Sequence, residues 1–130
     1  SQDGTAERIA NCVSQHPAIT FIQNRENVGL NRAFNAGLAR ARGQFIIDLS
    51  ADDVLLPHRI ERQIESYATL PDDVGVLFSN AEYVDANGRV TSTHYVVNAE
   101  GHARRLPPQG DVFREVLRSY FICTPTMMFR

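Results

Sequence analysis

Hydrophobic spacing along this chain switches repeatedly between helical and extended periods. Residues 6–14 carry Ile9, Cys12 and Val13 at helical spacing, behind Thr5, a residue suited to capping. His16-Pro17 ends that helix. Residues 18–23 alternate and are β-branched, which predicts a strand. A second helix is predicted over residues 30–41, with Leu30, Ala33, Phe34, Gly37, Leu38 and Ala41 inward and Gly43 as its C-cap. Residues 44–49 are apolar almost throughout, as buried parallel strands are. Pro57 fits the first position of a third helix, which runs to Leu70 with Ile60, Ile64 and Tyr67 inward.

Further along, residues 74–78 read as another buried strand. Asn87-Gly88 is a strong hairpin signal between residues 83–85 and 90–93. Residues 95–109 read as a long loop, residues 111–119 as a short helix, and residues 124–129 as a core strand filled by Met127, Met128 and Phe129. Alternation of this kind predicts an α/β fold: a mostly parallel central sheet with helices on both faces, in three layers, plus a small β-hairpin. The chain is expected to form a single domain over residues 1–130. Asp3-Gly4 reads as the carboxyl-end loop of a strand lying before Ser1, so the domain is expected to be truncated and to lack its first strand.

The central strand ends in Ser50-Ala51-Asp52-Asp53. An open α/β sheet builds ligand sites at the carboxyl ends of its strands. Paired carboxylates there are hard oxygen ligands suited to Mg²⁺ or Mn²⁺. A plainer alternative is that both acids complement the dipole of the following helix. Asp48 faces the same side as Ser50 and Asp52 if the strand is regular, and an acid in an apolar strand needs either a structural partner or a ligand.

Other candidates are weaker alone. Asp3 either belongs to an ordinary cap or accepts a hydrogen bond from a ribose or base. Gly29 permits close backbone approach at a helix start, where anions bind readily, and Arg32 or Asn35 could face a ligand there. Small-residue helix packing explains Ala33, Ala36 and Gly37 equally well.

Composition narrows the chemistry. All 13 basic residues are arginine, which removes the lysine that P-loop NTPases and Schiff-base enzymes need. Phospho-aspartyl receiver domains and haloacid-dehalogenase-type phosphatases also use a lysine. A net charge of −2 gives no case for nucleic acid. The two cysteines, Cys12 and Cys123, match no metal spacing. Cys12 is expected to be a buried free thiol, in keeping with a reducing compartment. His16, His58, His94 and His102 lack ligand spacing and suit surface or loop positions. No apolar run is long enough for a membrane span, and no signal peptide is visible.

The order Asp3-Gly4-Thr5, Asn27-x-Gly29, Asn35-Ala36-Gly37-Leu38, Ala41-x-Gly43-x-Phe45-Ile46 and Leu49-Ser50-Ala51-Asp52-Asp53 with Pro57 resembles the family 2 glycosyltransferases. Val84-Asp85-x-Asn87-Gly88 and Met128-Phe129-Arg130 also fit. That resemblance implies a Rossmann-like GT-A fold and transfer of a sugar, with inversion, from a nucleoside-diphosphate donor, a UDP-sugar foremost. The acceptor would be a saccharide or a lipid-linked molecule. It implies Mg²⁺ or Mn²⁺ as cofactor and Asp52 as the metal ligand. Asp3, Gly29, Asn35, Ser50, Asp52 and Asp53 would bind the nucleotide sugar.

Ser50 stands where the family's Asp-x-Asp motif usually has its first acid, and Gln2 where the nucleoside loop usually has its first aspartate. The general base is expected beyond Arg130. The resemblance further implies a bacterial enzyme of cell-envelope polysaccharide synthesis, cytoplasmic or peripheral at the inner membrane face. If an edge is exposed, a homodimer can form through it. Ser50 leaves room for a non-catalytic, degenerate relative. A nucleotidyltransferase would also place acids after a strand, but its glycine-rich, lysine-containing loop is not visible.

Overall fold

In the computed structural model, which describes residues 4–130, the helices form close to where apolar spacing sets them. The chain divides into two compact units, one ending at Gly43 and the other running Gln44–Arg130. The first holds α1 (Thr5–Ser14) and α2 (Leu30–Leu38). Gly4, not Thr5, occupies the N-cap of α1, in a left-handed conformation with φ 76°. Helical turns continue past α2, with the Ala41 N–H donating to the carbonyls of Gly37 and Leu38.

Residues 18–23 form no strand; the described part of this unit contains only helices, so their backbone has no ladder to join. Cys12 is exposed, against the expectation of a buried thiol. The reason is that α1 buries none of its residues; Ile9 itself remains 38% exposed.

The second unit contains α3 (Arg59–Thr69), β1 (Val76–Leu77), β2 (Glu82–Val84), β3 (Val90–Thr93), α4 (Phe113–Arg118), a 3-10 turn at Thr124–Thr126 and β4 (Met128–Phe129). The predicted central strand is reduced to a bridge: Ile46 and Phe129 exchange backbone hydrogen bonds at 2.8 and 3.0 Å. Phe129 also pairs with Val76, again antiparallel. Residues 44–49 and β1 therefore run in the same direction, with β4 inserted between them in the opposite sense. The polypeptide from Ile46 through α3 to β1 is a β-α-β crossover of the predicted kind. Every ladder among the described residues is antiparallel, however, so the expected mostly parallel sheet is not formed. The inserted β4 takes the hydrogen-bonding edges that two parallel neighbours would have shared.

β2 and β3 form the predicted hairpin, with a register irregularity at Tyr83/Val84. Asp85 closes its turn by accepting from the N–H groups of Asn87 and Arg89 at 2.8 and 3.0 Å. Those two amides hold its carboxyl below the usual aspartate range. The predicted long loop contains structure of its own. Val97 bridges to Ala103, and a turn forms in which the Gly101 N–H donates to the Asn98 carbonyl.

The core lies where α3 crosses β4. Ile60 and Ile64, expected inward, are each 44% exposed, whereas Gln63 and Tyr67 are buried. The inner face of α3 is Arg59, Gln63 and Tyr67, one helical turn apart. Arg59 donates to the Met127 carbonyl at 3.2 Å, Gln63 to Thr126 at 3.0 Å and Tyr67 to Met128 at 2.7 Å. Short, interrupted β4 cannot satisfy these carbonyls by ladder pairing alone, and polar α3 side chains supply the donors. The displaced Ile60 and Ile64 line an open groove with Leu55 and Leu56.

Candidate functional site

Asp3 lies outside the described residues. Gly29 and Asn35 belong to the first unit. Gly29 is the N-cap of α2 with φ 77° and ψ 160°, a conformation essentially reserved for glycine. Its N–H donates to the Asn27 side-chain oxygen at 2.9 Å, and its carbonyl accepts from the Ala33 N–H. The Asn27-x-Gly29 pair is thus a side-chain-braced turn opening a helix. Asn35 and Arg32 are exposed on α2, and neither side chain has a partner among the described residues.

A Cβ added at Gly29 would meet nothing within 4 Å, so any cost of substitution there is one of backbone strain. Gly29→Ala is expected to destabilise the chain by about 1–3 kcal/mol. Gly37→Ala, inside the helix with equally open space, should stabilise it by about 0.4–1 kcal/mol. Urea unfolding of the two variants checks the opposite signs.

Ser50, Asp52 and Asp53 stand together in the second unit, on one turn. The Asp53 N–H donates to the Ser50 carbonyl at 3.2 Å, which folds the tip immediately after the Ile46 bridge. Ser50 and Asp52 are exposed and Asp53 is half-buried. The helix-dipole alternative loses its footing here. Helix α3 starts at Arg59, its N-cap is His58 in a left-handed conformation, and the acid of its first turn is Glu61. Pro57 precedes the helix instead of occupying its first position. The two aspartates are therefore held away from the helix, on a tip of their own. Asp48 is half-buried with no side-chain hydrogen-bond partner among the described residues, so the structural partner considered for it is not supplied.

The segment facing this tip was not legible as part of a site. That segment is Cys123 and the 3-10 turn at Thr124–Thr126, which leads into β4. Burial pushes the Cys123 thiol above its ordinary range, and the Asp53 carboxylate adds to the shift. The 3-10 turn therefore lies within electrostatic reach of the acidic tip. The Thr124 hydroxyl hydrogen-bonds with Tyr120 at 3.3 Å. Only the pairing of β4 in the fold could reveal this neighbourhood.

Among the described residues no three His, Cys, Asp or Glu side chains could hold a metal ion by themselves. This does not count against Mg²⁺ or Mn²⁺ held between protein and substrate. Such ions commonly take one or two carboxylates and complete their shell with phosphate oxygens and water. An exposed Asp52 beside a half-buried Asp53 suits that mode, and does not suit an all-protein cage.

Comparison with known proteins identifies the family. The family model described as glycosyl transferase family 2 matches residues 1–130. An uncharacterized glycosyltransferase of Methanocaldococcus jannaschii is 31% identical over 79% of this chain and 31% of its own length. One from Nostoc is 32% identical over 96% of this chain and 42% of its own. A succinoglycan biosynthesis protein of Rhizobium meliloti is 33% identical over 68% of this chain and 24% of its own. The chain thus spans less than half the length of these relatives. No solved structure matches. With its Asn-x-Gly turn, its acidic strand-end tip and a family match from end to end, the chain belongs to glycosyltransferase family 2.

Proposed function

We propose that this chain forms the donor-binding part of an enzyme that transfers a sugar, with inversion, from a nucleoside-diphosphate sugar to an acceptor. The observation that carries the reading is the Ser50–Asp53 turn: a carboxylate tip that follows the Ile46 bridge and is separated from the next helix, in a family 2 chain. A UDP-sugar is the donor favoured.

Each residue has a role that its chemistry allows. Asp52, exposed at the tip, holds Mg²⁺ or Mn²⁺, with Asp53 supporting the negative field. When bound, the ion supplies Lewis-acid stabilisation to the departing nucleoside diphosphate. The Ser50 hydroxyl donates to the ribose or to a water in the metal's shell. Asp3 accepts from the nucleoside. The N–H groups after Gly29 offer positive partial charge to phosphate, and Asn35 offers an amide on the same helix. Arg59, Gln63 and Tyr67 hold β4, and with it the 3-10 turn that faces the acids.

Relatives named for amylovoran and succinoglycan biosynthesis favour a role in making bacterial extracellular or envelope polysaccharide. Among the described residues no helix is long and apolar enough to cross a membrane. The work would be done on the cytoplasmic side, where nucleotide sugars are made. The acceptor is a saccharide or a lipid-linked molecule, and residues 95–109 lie in the part of the chain proposed to meet it.

Titration calorimetry with UDP tests the reading. Binding is expected with Mn²⁺ and not without it. Absence of binding at millimolar UDP with the metal would overturn the reading in favour of a degenerate, non-catalytic domain, the alternative that Ser50 in place of an acid favours.

A further inference from the structure

Two buried side-chain atoms of the second unit, Arg59 Nη1 and Gln63 Oε1, have no hydrogen-bond partner among the described residues. Gln63 is only 8% exposed, so its oxygen has no recourse to bulk solvent. The two residues stand four apart on α3 and share one face of it, with Cβ atoms about 5–6 Å from each other. Each head is anchored through another nitrogen. Arg59 Nη2 donates to the Met127 carbonyl at 3.2 Å, and Gln63 Nε2 to the Thr126 carbonyl at 3.0 Å. Both heads are thus held side by side where the 3-10 turn passes into β4. The Gln63 amide cannot be turned over to improve its bonding. A carbonyl only accepts, so the nitrogen must be the atom on Thr126, and the oxygen is the atom left over.

The two leftover atoms are chemically complementary. A guanidinium N–H only donates, and an amide oxygen only accepts. They nevertheless form no direct bond with each other. Burial lowers the Arg59 guanidinium from its ordinary pKa, so its charge is held at a cost that a further acceptor would offset.

This pairing selects its occupant. An anion would satisfy Arg59 and be repelled by the Gln63 oxygen. A cation would do the reverse. An apolar group would satisfy neither. A water accepts from the one and donates to the other, and its two bonds of about 2.9 Å span the separation that an i,i+4 pair sets. Arg59 also lines the open groove with Leu55, Leu56, Ile60 and Ile64, so the site lies beside a route from solvent.

We propose that one buried water is bound between Arg59 Nη1 and Gln63 Oε1 and joins the two side chains into a single clamp on the Thr126 and Met127 carbonyls. The water belongs to the fold, and its presence does not depend on the sugar-transfer reading.

A crystal structure of the natural chain at atomic resolution tests this directly. It is expected to show one water at about 2.7–3.2 Å from both atoms. A direct bond between Arg59 and Gln63, a protein group between them, or no water there overturns the proposal. In solution, oxygen-17 relaxation dispersion counts the waters that exchange slowly with solvent. Gln63→Leu, which has no acceptor, is expected to lose one such water relative to the natural chain. Ser66→Ala, on the exposed side of α3, should lose none. An unchanged count in a folded Gln63→Leu chain overturns the proposal. The crystal structure needs no variant, and decides the matter if Gln63→Leu fails to fold.

Discussion

On the proposed sugar-transfer reading, Asp52→Asn is expected to lower transfer by roughly a hundred- to a thousandfold while the fold persists. The size follows from the charge at stake. A nucleoside diphosphate leaves with its negative charge growing, and a single preorganised electrostatic stabiliser of such charge is worth about 10²–10³ in rate. Asparagine keeps the shape and one oxygen but not the ionised carboxylate that a hard cation requires. The side chain is exposed on a turn closed by a hydrogen bond between backbone atoms, so the change disturbs no packing. Steady-state transfer assays across Mn²⁺ concentrations, beside a urea unfolding curve, check both halves. Asp53→Asn should cost less, because Asp53 is half-buried and has only the supporting role. Wild-type turnover by Asp52→Asn would remove this residue from the reaction.

The second large effect is on stability. Tyr67 is 2% exposed and touches several parts of the second unit. Its ring stacks on Phe45 at 4.9 Å, and the Arg130 guanidinium lies 4.7 Å from its centroid. Its hydroxyl donates to Met128 and is within 3.2 Å of the Gly75 carbonyl. One residue thereby ties α3 to residues 44–49, β1 and β4. Tyr67→Ala removes a buried aromatic ring and is expected to cost about 3–5 kcal/mol. Tyr67→Phe keeps the ring and leaves the Met128 carbonyl without this donor, for about 1–3 kcal/mol.

Burial also raises the Tyr67 phenol above the ordinary tyrosine range, with the Leu77 backbone and Arg130 pulling it partly back. The folded state therefore holds its proton more firmly than the unfolded state does. The associated stability is present below the ordinary tyrosine pKa and is lost as pH rises through the folded value. Denaturant midpoints measured across alkaline pH should fall for the natural chain and fall less for Tyr67→Phe.

Legibility differed from place to place for physical reasons. Helices α1, α2, α3 and α4 were readable because apolar spacing is a property of a short window; their caps were not, with Gly4, Ala39 and His58 standing where Thr5, Gly43 and Pro57 were expected to set the ends. The β2–β3 hairpin was readable for the same reason, since Asn87-Gly88 sets its turn. The acidic tip was readable from an apolar run ending in Ser50-Ala51-Asp52-Asp53. Strands were harder, because a strand exists only with a partner. Residues 18–23 carry a strand pattern and remain unpaired. Residues 44–49 pair through Ile46 alone. On α3, Tyr67 is inward as expected, whereas Ile60 and Ile64 are not. Hydrophobic spacing favoured Ile60 and Ile64, but the adjoining chain presents carbonyls, and Arg59, Gln63 and Tyr67 can satisfy them. In the same way, nothing in a linear reading brought Cys123 within electrostatic reach of Asp53.

The sequence by itself determined the helices, the hairpin, the family and the acids that end the central strand, since each is encoded by neighbouring residues or by motif order. Tertiary structure decided the direction of pairing, the polar identity of the core face, the separation of Asp52 and Asp53 from helix α3, and the chain that faces them. Those depend on which distant backbone groups must be satisfied together, and residue spacing within one window carries no record of that.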